Sequence, residues 1–149
     1  MFYSALIFGL IFGSFLNVVI YRLKTPPGRG LSVSLWKDRS HCPQCRTQLQ
    51  WHDLIPLLSF TWLRGRCRYC HKKISWQYPL VEFLSGLIWV LVFYKFVLPA
   101  ETLAKAGILD IVYYIFILSA LLVIAVYDFK WRIIPDKIIY PAIAVALVY

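Results

Sequence analysis

The chain has 149 residues, 60% of them hydrophobic and 15% charged, with a mean hydropathy of +0.67 and a formal net charge of +9. Soluble domains run nearer about 45–50% apolar and about 25% charged, and disordered chains lack the apolar groups that abound here. Disorder and an ordinary soluble domain are thereby excluded; the length suits one folding unit, and the apolar runs suit a bilayer.

The charge is concentrated in one stretch. Arg22 to Val81 holds eleven Lys/Arg against Asp38 and Asp53, which is +9, and the rest of the chain sums to zero. All four cysteines lie in the same stretch. The sequence reads as a hydrophobic frame carrying one basic, cysteine-containing module.

Met1 to Tyr21 has no charged residue. At about 1.5 Å per residue it just spans a hydrocarbon core of roughly 30 Å. A cleaved signal peptide would want a basic start and a small-x-small site; here the positive charges follow the segment, so a permanent helix is expected. Gly9 and Gly13 form a G-x-x-x-G suited to close helix packing, and Asn17 is the one strongly polar side chain in the span. Thr25-Pro-Pro-Gly-Arg-Gly30 reads as a loop. A second apolar segment runs from about Tyr78 to Leu98, with Glu82 near its start. Pro99 to Asp110 is a polar connection, Ile111 to Tyr127 a third segment, and Asp128 to Lys137 a charged connector. Ile138 to Tyr149 is too short to cross. No internal repeat is evident.

Loop charge sets orientation. The loop after the first helix carries eleven basic residues, the next only Lys105, and the connector Lys130, Arg132 and Lys137. By the positive-inside rule the first and third face the cytoplasm and the N-terminus lies outside. The expected fold is an all-α polytopic membrane protein of about three transmembrane helices plus a truncated fourth, with a small zinc-ribbon-like cytoplasmic subdomain containing short strands. The expected divisions are residues 1–21 as the first transmembrane helix, 22–77 as the cytoplasmic module, and 78–149 as the remaining helices.

Cys42-Pro-Gln-Cys45 and Cys67-Arg-Tyr-Cys70 are two C-x-x-C knuckles. Two residues between cysteines let both sulfurs of a tight turn face one ion, and two such turns complete a tetrahedral thiolate site for structural Zn2+. Disulfides are the weaker reading in a reducing cytoplasm. Cys67-Arg-Tyr-Cys70-His71 also fits the C-x-x-C-H haem-attachment pattern, but that chemistry belongs to the outer side and leaves the first knuckle without a purpose. His41, His52 and His71 are candidate spare ligands, though four cysteines already fill the site. The basic surface is accounted for by positive-inside insertion. It lacks the aromatic-and-basic alternation of a stacking platform, so no nucleic acid is expected as a partner, while the lipid bilayer is.

Asp128 follows directly on 17 uncharged residues, at the expected cytoplasmic end of the third helix. A lone carboxylate there can simply mark where a helix leaves the membrane. The functional alternative is a catalytic aspartate, since two carboxylates sharing a proton can activate water. Asp136, behind Pro135, is expected as an N-cap for the last segment.

Four stretches together resemble the bacterial prepilin leader peptidases, bifunctional membrane enzymes of type IV pilus and type II secretion systems. These are Gly13-Ser-Phe-Leu-Asn-Val-Val-Ile-Tyr-Arg22, the paired knuckles, Ile74-Ser-Trp-Gln-Tyr-Pro-Leu-Val-Glu82 and Asp128-Phe-Lys-Trp-Arg-Ile-Ile-Pro-Asp136. The resemblance implies an aspartic endopeptidase at the cytoplasmic face of the inner membrane. Such enzymes cut the leader from prepilins or pseudopilins and methylate the new N-terminus with S-adenosylmethionine. It implies Asp128 as one catalytic aspartate and Cys42, Cys45, Cys67 and Cys70 as the zinc ligands. It assigns no cofactor-binding residue, with Glu82 and Asn17 only distant candidates.

The family's second catalytic aspartate lies in a G-x-G-D motif, and no such tetrapeptide occurs here; Gly107-Ile-Leu-Asp110 is the nearest string and belongs to the opposite face. The chain is therefore expected to be the N-terminal portion of a longer enzyme, inactive as a peptidase alone and dependent on further C-terminal helices to bury Asn17, Glu82 and the G-x-x-x-G face. The alternative is a non-catalytic membrane-anchored zinc module that binds a protein partner or anionic lipid.

Overall fold

A computed structural model describes residues 2–24, 40–96 and 107–149 of the chain. The Thr25–Gly30 loop and most of the 99–110 connection, Lys105 included, lie outside the described residues. Five helices are described: α1 Phe2–Lys24, the short α2 Leu58–Trp62, α3 Gln77–Phe96, α4 Ile108–Trp131 and α5 Asp136–Val148. A 3-10 turn, Trp51–Leu54, precedes α2. Phe2–Leu23, Gln77–Phe96 and Ile108–Trp131 are long and apolar enough to cross a membrane. The 13-residue α5 reaches only about 20 Å, short of a hydrocarbon core.

The glycines set how α1 meets α3. A Cβ on Gly13 would lie 2.7 Å from the Glu82 Cα, and one on Gly9 would lie 2.8 Å from the Gly86 Cα. Only glycine permits backbones this close, which is the use of small residues between membrane helices. The Asn17 side-chain N–H donates to the Tyr78 carbonyl at 3.0 Å, and Phe2 meets Phe93 edge to face at 6.1 Å. In all four pairs the residue numbers add to 95, so the helices are antiparallel in one unbroken register. Asn17 and Glu82 are buried within this pair. The expectation that further helices are needed to bury them is therefore corrected: the close α1–α3 crossing and the Leu57 segment against Glu82 already do it.

α4 returns antiparallel to α3. Phe96 packs on Tyr114 at 4.9 Å at one end, and Lys130 donates to the Gln77 side-chain carbonyl at the other. Leu16, Ile20, Val81 and Val123 form the buried core where the three helices meet. The C-terminal end of α1, the N-terminal end of α3 and the C-terminal end of α4 thus lie on one side of the frame.

α4 is longer at both ends than the uncharged run. It takes in Asp110, whose carboxylate accepts the Gly107 N–H at 2.7 Å, and it continues past Asp128 to Trp131. Arg132 ends it in the left-handed region, φ 53°, donating its N–H to the Asp128 carbonyl at 2.7 Å. Asp128 therefore sits in the last turn of the helix rather than beyond it. Asp136 is the first residue of α5, with Pro135 in the capping position, so the N-cap expected of Asp136 is not formed. A proline just outside the first turn fits because the missing N–H would have been unpaired there anyway.

Candidate metal centre and neighbouring carboxylates

The two knuckles are copies of one turn, 25 residues apart. Cys42 N–H donates to Thr47 O, Arg46 N–H to Cys42 O and Leu49 N–H to Ser40 O; Cys67 N–H donates to Lys72 O, His71 N–H to Cys67 O and Ile74 N–H to Gly65 O. The isolated bridges His41 to Gln48 and Arg66 to Lys73 repeat the offset, as do the left-handed residues Arg46 (φ 58°) and His71 (φ 56°). There is thus an internal repeat, hard to see in the sequence because only the cysteines and a tryptophan (Trp51 and Trp76) recur. The pairing stops at these bridges, and no strand forms among the described residues, which corrects the expectation of short strands.

The repeat turns four thiols toward one point. The Sγ atoms of Cys42, Cys45, Cys67 and Cys70 all lie within 4.8 Å of one another, and none is in a disulfide. Tetrahedral zinc–thiolate bonds of about 2.3 Å place sulfurs about 3.8 Å apart, so this donor set fits a Zn2+ ion. Cys42 and Cys67 are buried while Cys45 and Cys70 are partly exposed. Hydrogen bonds from the Thr47 hydroxyl and backbone lower the Cys45 thiol to about 6. Burial pushes Cys42 up. Cys70 rises to about 11: a backbone hydrogen bond from Lys72 lowers it, but desolvation and the neighbouring thiols outweigh that.

No histidine belongs to this cluster. His41 packs edge to face on Tyr21, His52 packs on Trp51, and His71 closes the second turn through its backbone. With all four sulfurs converging, the C-x-x-C-H string has no separate site to build.

Asp53 ties the knuckles together, a role that sequence reading did not find. It accepts Arg68 Nε at 2.8 Å, Tyr69 Oη at 3.0 Å and the Gln50 N–H at 3.2 Å, and its side chain is only 4% exposed. Arg68 and Tyr69 are the two residues between Cys67 and Cys70, so one carboxylate grips the second knuckle from the segment that follows the first. Burial alone would raise the Asp53 carboxyl; the Gln50 amide, Tyr69 and Arg68 more than reverse that and hold it below its ordinary value.

Beside the cysteines, Leu63, Arg64, Arg66, Cys67, Arg68 and His71 line an open cleft of about 400 Å³. No carboxylate lines it, so the ribose hydroxyls and sulfonium of S-adenosylmethionine find no acidic partner there, and no described residue is assigned to that cofactor. Asn17 and Glu82 each use a polar atom in packing, while the Asn17 Oδ1 is buried without a hydrogen-bond partner among the described residues. The Asn17 amide holds Tyr78, and a Glu82 carboxylate oxygen accepts the Leu57 N–H at 2.9 Å.

Asp128 is exposed on the side of the frame that carries the cysteine module, as the Lys130–Gln77 pair requires. Asp110 is 18 residues back along α4, about 27 Å away, and caps the helix there. The two cannot share a proton.

These features define a polytopic membrane protein with a four-thiolate module seated on one face of its helical frame. The chain belongs to the family described by the Bacterial Peptidase A24 N-terminal domain, whose model matches residues 7–96. That match takes in α1 from residue 7 onward, both knuckles and α3, and stops short of Asp128. Curated relatives include the prepilin leader peptidase/N-methyltransferase of Klebsiella pneumoniae, 39% identical over 95% of this chain and 58% of its own length. The protein of the same name from Pectobacterium carotovorum is 40% identical over 89% of this chain and 50% of its own length. That of Myxococcus xanthus is 50% identical over 55% of this chain and 23% of its own length. The chain spans about half the length of the first two relatives. No solved structure matches it.

Proposed function

We propose that this chain supplies the N-terminal part of an inner-membrane enzyme that cleaves prepilins or pseudopilins and methylates the new N-terminus. The observation carrying this reading is the similarity to Klebsiella pneumoniae prepilin leader peptidase/N-methyltransferase across 95% of the chain. The N-terminus lies outside and the knuckles face the cytoplasm, as loop charge requires. Cys42, Cys45, Cys67 and Cys70 hold one structural Zn2+, which fixes the basic module on the frame. S-adenosylmethionine is the methyl donor.

In this reading Asp128 is one carboxylate of an aspartyl pair at the membrane face. One member stays charged and takes a proton from water while the protonated member polarises the scissile carbonyl. The partner carboxylate comes from helices outside these 149 residues: Asp110 is at the far end of α4, and Asp136 is spent as the opening residue of α5. The division into a first helix (1–21), a metal module (22–77) and an aspartyl-bearing helical part (78–149) follows the same reading. Expression of an enzyme carrying this sequence in a bacterium lacking its own prepilin peptidase tests it. Restored leader cleavage supports the proposal. Zinc-loaded, membrane-inserted protein with no cleavage favours the binding-module alternative.

A further inference from the structure

Between the knuckles, Leu54 to Leu63 is a run of ten residues with no charge, bounded by Asp53 and Arg64. It is far too short to span a bilayer, but a run of this length suits a re-entrant segment. Three observations place it at membrane depth. First, the Leu57 N–H donates to Glu82, and Glu82 lies level with Gly13. That level is ten residues, about 15 Å, inside the end of the Phe2–Leu23 span and five residues, about 7.5 Å, inside the end of the Gln77–Phe96 span, within a hydrocarbon core of roughly 30 Å by either helix. Second, Leu54 and Pro56 share a cleft with Ile11, Ser14, Phe15 and Val18 from the middle of α1. Third, Leu58 is 68% exposed and Trp62 86% exposed, although the segment that bears them lies against transmembrane helices.

Hydrocarbon requires that the polar groups of non-helical chain find partners within the protein, and many of the amides here have them. The N–H groups of Ser59, Thr61, Leu63 and Gly65 donate to Ile55, Leu57, Ser59 and Phe60 carbonyls, and the Thr61 hydroxyl donates to Leu57 O at 2.8 Å. The bend at Leu57, φ 58°, leaves that residue's N–H outside the turn, and Glu82 accepts it. We propose that Leu54–Leu63 is a re-entrant segment inserted in the bilayer beside α1 and α3. Its apolar tip, Leu58 and Trp62, faces lipid acyl chains, and Glu82 satisfies the amide freed at its bend. Trp51 and Trp76, both largely exposed, flank it where tryptophans anchor at the membrane interface.

The inference rests on the three spans being transmembrane, and the test separates the two. A nitroxide amino acid is placed by codon suppression at Leu58, at Trp62, at lipid-facing Phe8 and at Lys73, leaving the four cysteines untouched. The chain is reconstituted in phosphatidylcholine/phosphatidylglycerol nanodiscs, and collision with oxygen is compared with collision with a water-soluble nickel chelate. Labels at Leu58 and Trp62 are expected to match Phe8, with oxygen favoured at least several-fold over nickel, and Lys73 to show the reverse. Nickel access at Leu58 and Trp62 equal to Lys73 overturns the proposal, and so does exclusion of both reagents, which would mean a protein-covered surface. Nickel access at Phe8 would instead overturn the membrane frame itself.

Discussion

Gly13 and Glu82 face each other across α1 and α3 so closely that a side chain on Gly13 would strike the Glu82 backbone, at 2.7 Å. This crossing sets the 95-sum register, and with it the level at which the cysteine module meets the frame. Gly13→Val is expected to force the helices apart and to cost about 1–3 kcal/mol, the usual penalty for overpacking. Detergent-resistant association of separately expressed α1 and α3 segments measures it, and an undiminished association would contradict the register.

Glu82 holds Leu57 by a single hydrogen bond. Glu82→Gln keeps an acceptor oxygen and should leave the module seated, whereas Glu82→Leu strands a buried N–H at a cost of about 1–3 kcal/mol. Limited proteolysis across residues 54–66 should accelerate only in the leucine variant.

The thiol cluster predicts one zinc per chain. Binding requires thiolates and releases protons, so affinity should fall as pH falls. Chelator treatment, or Cys67→Ser, is expected to remove the metal and to loosen residues 40–76 in hydrogen exchange. The protection of α1, α3 and α4 should persist, because their packing does not pass through the cysteines.

Asp53 orients the second knuckle through Arg68 and Tyr69. Asp53→Asn should weaken zinc retention about 10–100-fold, the usual cost of losing a group that positions metal ligands, as read by chelator competition. The sign with pH follows from a carboxyl held below its ordinary value. Its stabilisation is complete above the unfolded value of about 4 and disappears as pH falls toward the lower folded value. Thermal melts of the metal-free chain should show this acid-side loss, and Asp53→Asn should remove it.

Uncharged runs were enough to find α1, α3 and α4, because a bilayer demands length and apolarity and little else. The knuckles were legible because metal chemistry fixes their spacing. What could not be read was what depends on shape. The 25-residue repeat is a repeat of backbone turns, carried by unlike residues such as Arg46 and His71. Asp53 looked like one acid in a basic loop until the fold brought Arg68 and Tyr69 to it. Leu54–Leu63 was absorbed into the surrounding charged stretch because ten apolar residues give no decisive period or length. Asn17 and Glu82 read as sites awaiting other helices, since nothing in one dimension shows that Gly9 and Gly13 lie opposite Gly86 and Glu82.

The aspartyl reading meets its most direct test in cleavage of a purified prepilin by the complete enzyme carrying Asp128→Asn, with zinc content measured on the same sample. Loss of cleavage by about 10³-fold or more, the scale on which removal of a catalytic group acts, with zinc unchanged and Asp110→Asn still active, is the predicted result. Cleavage by Asp128→Asn at the unsubstituted rate would contradict it and leave the cysteine module as the functional part of this chain.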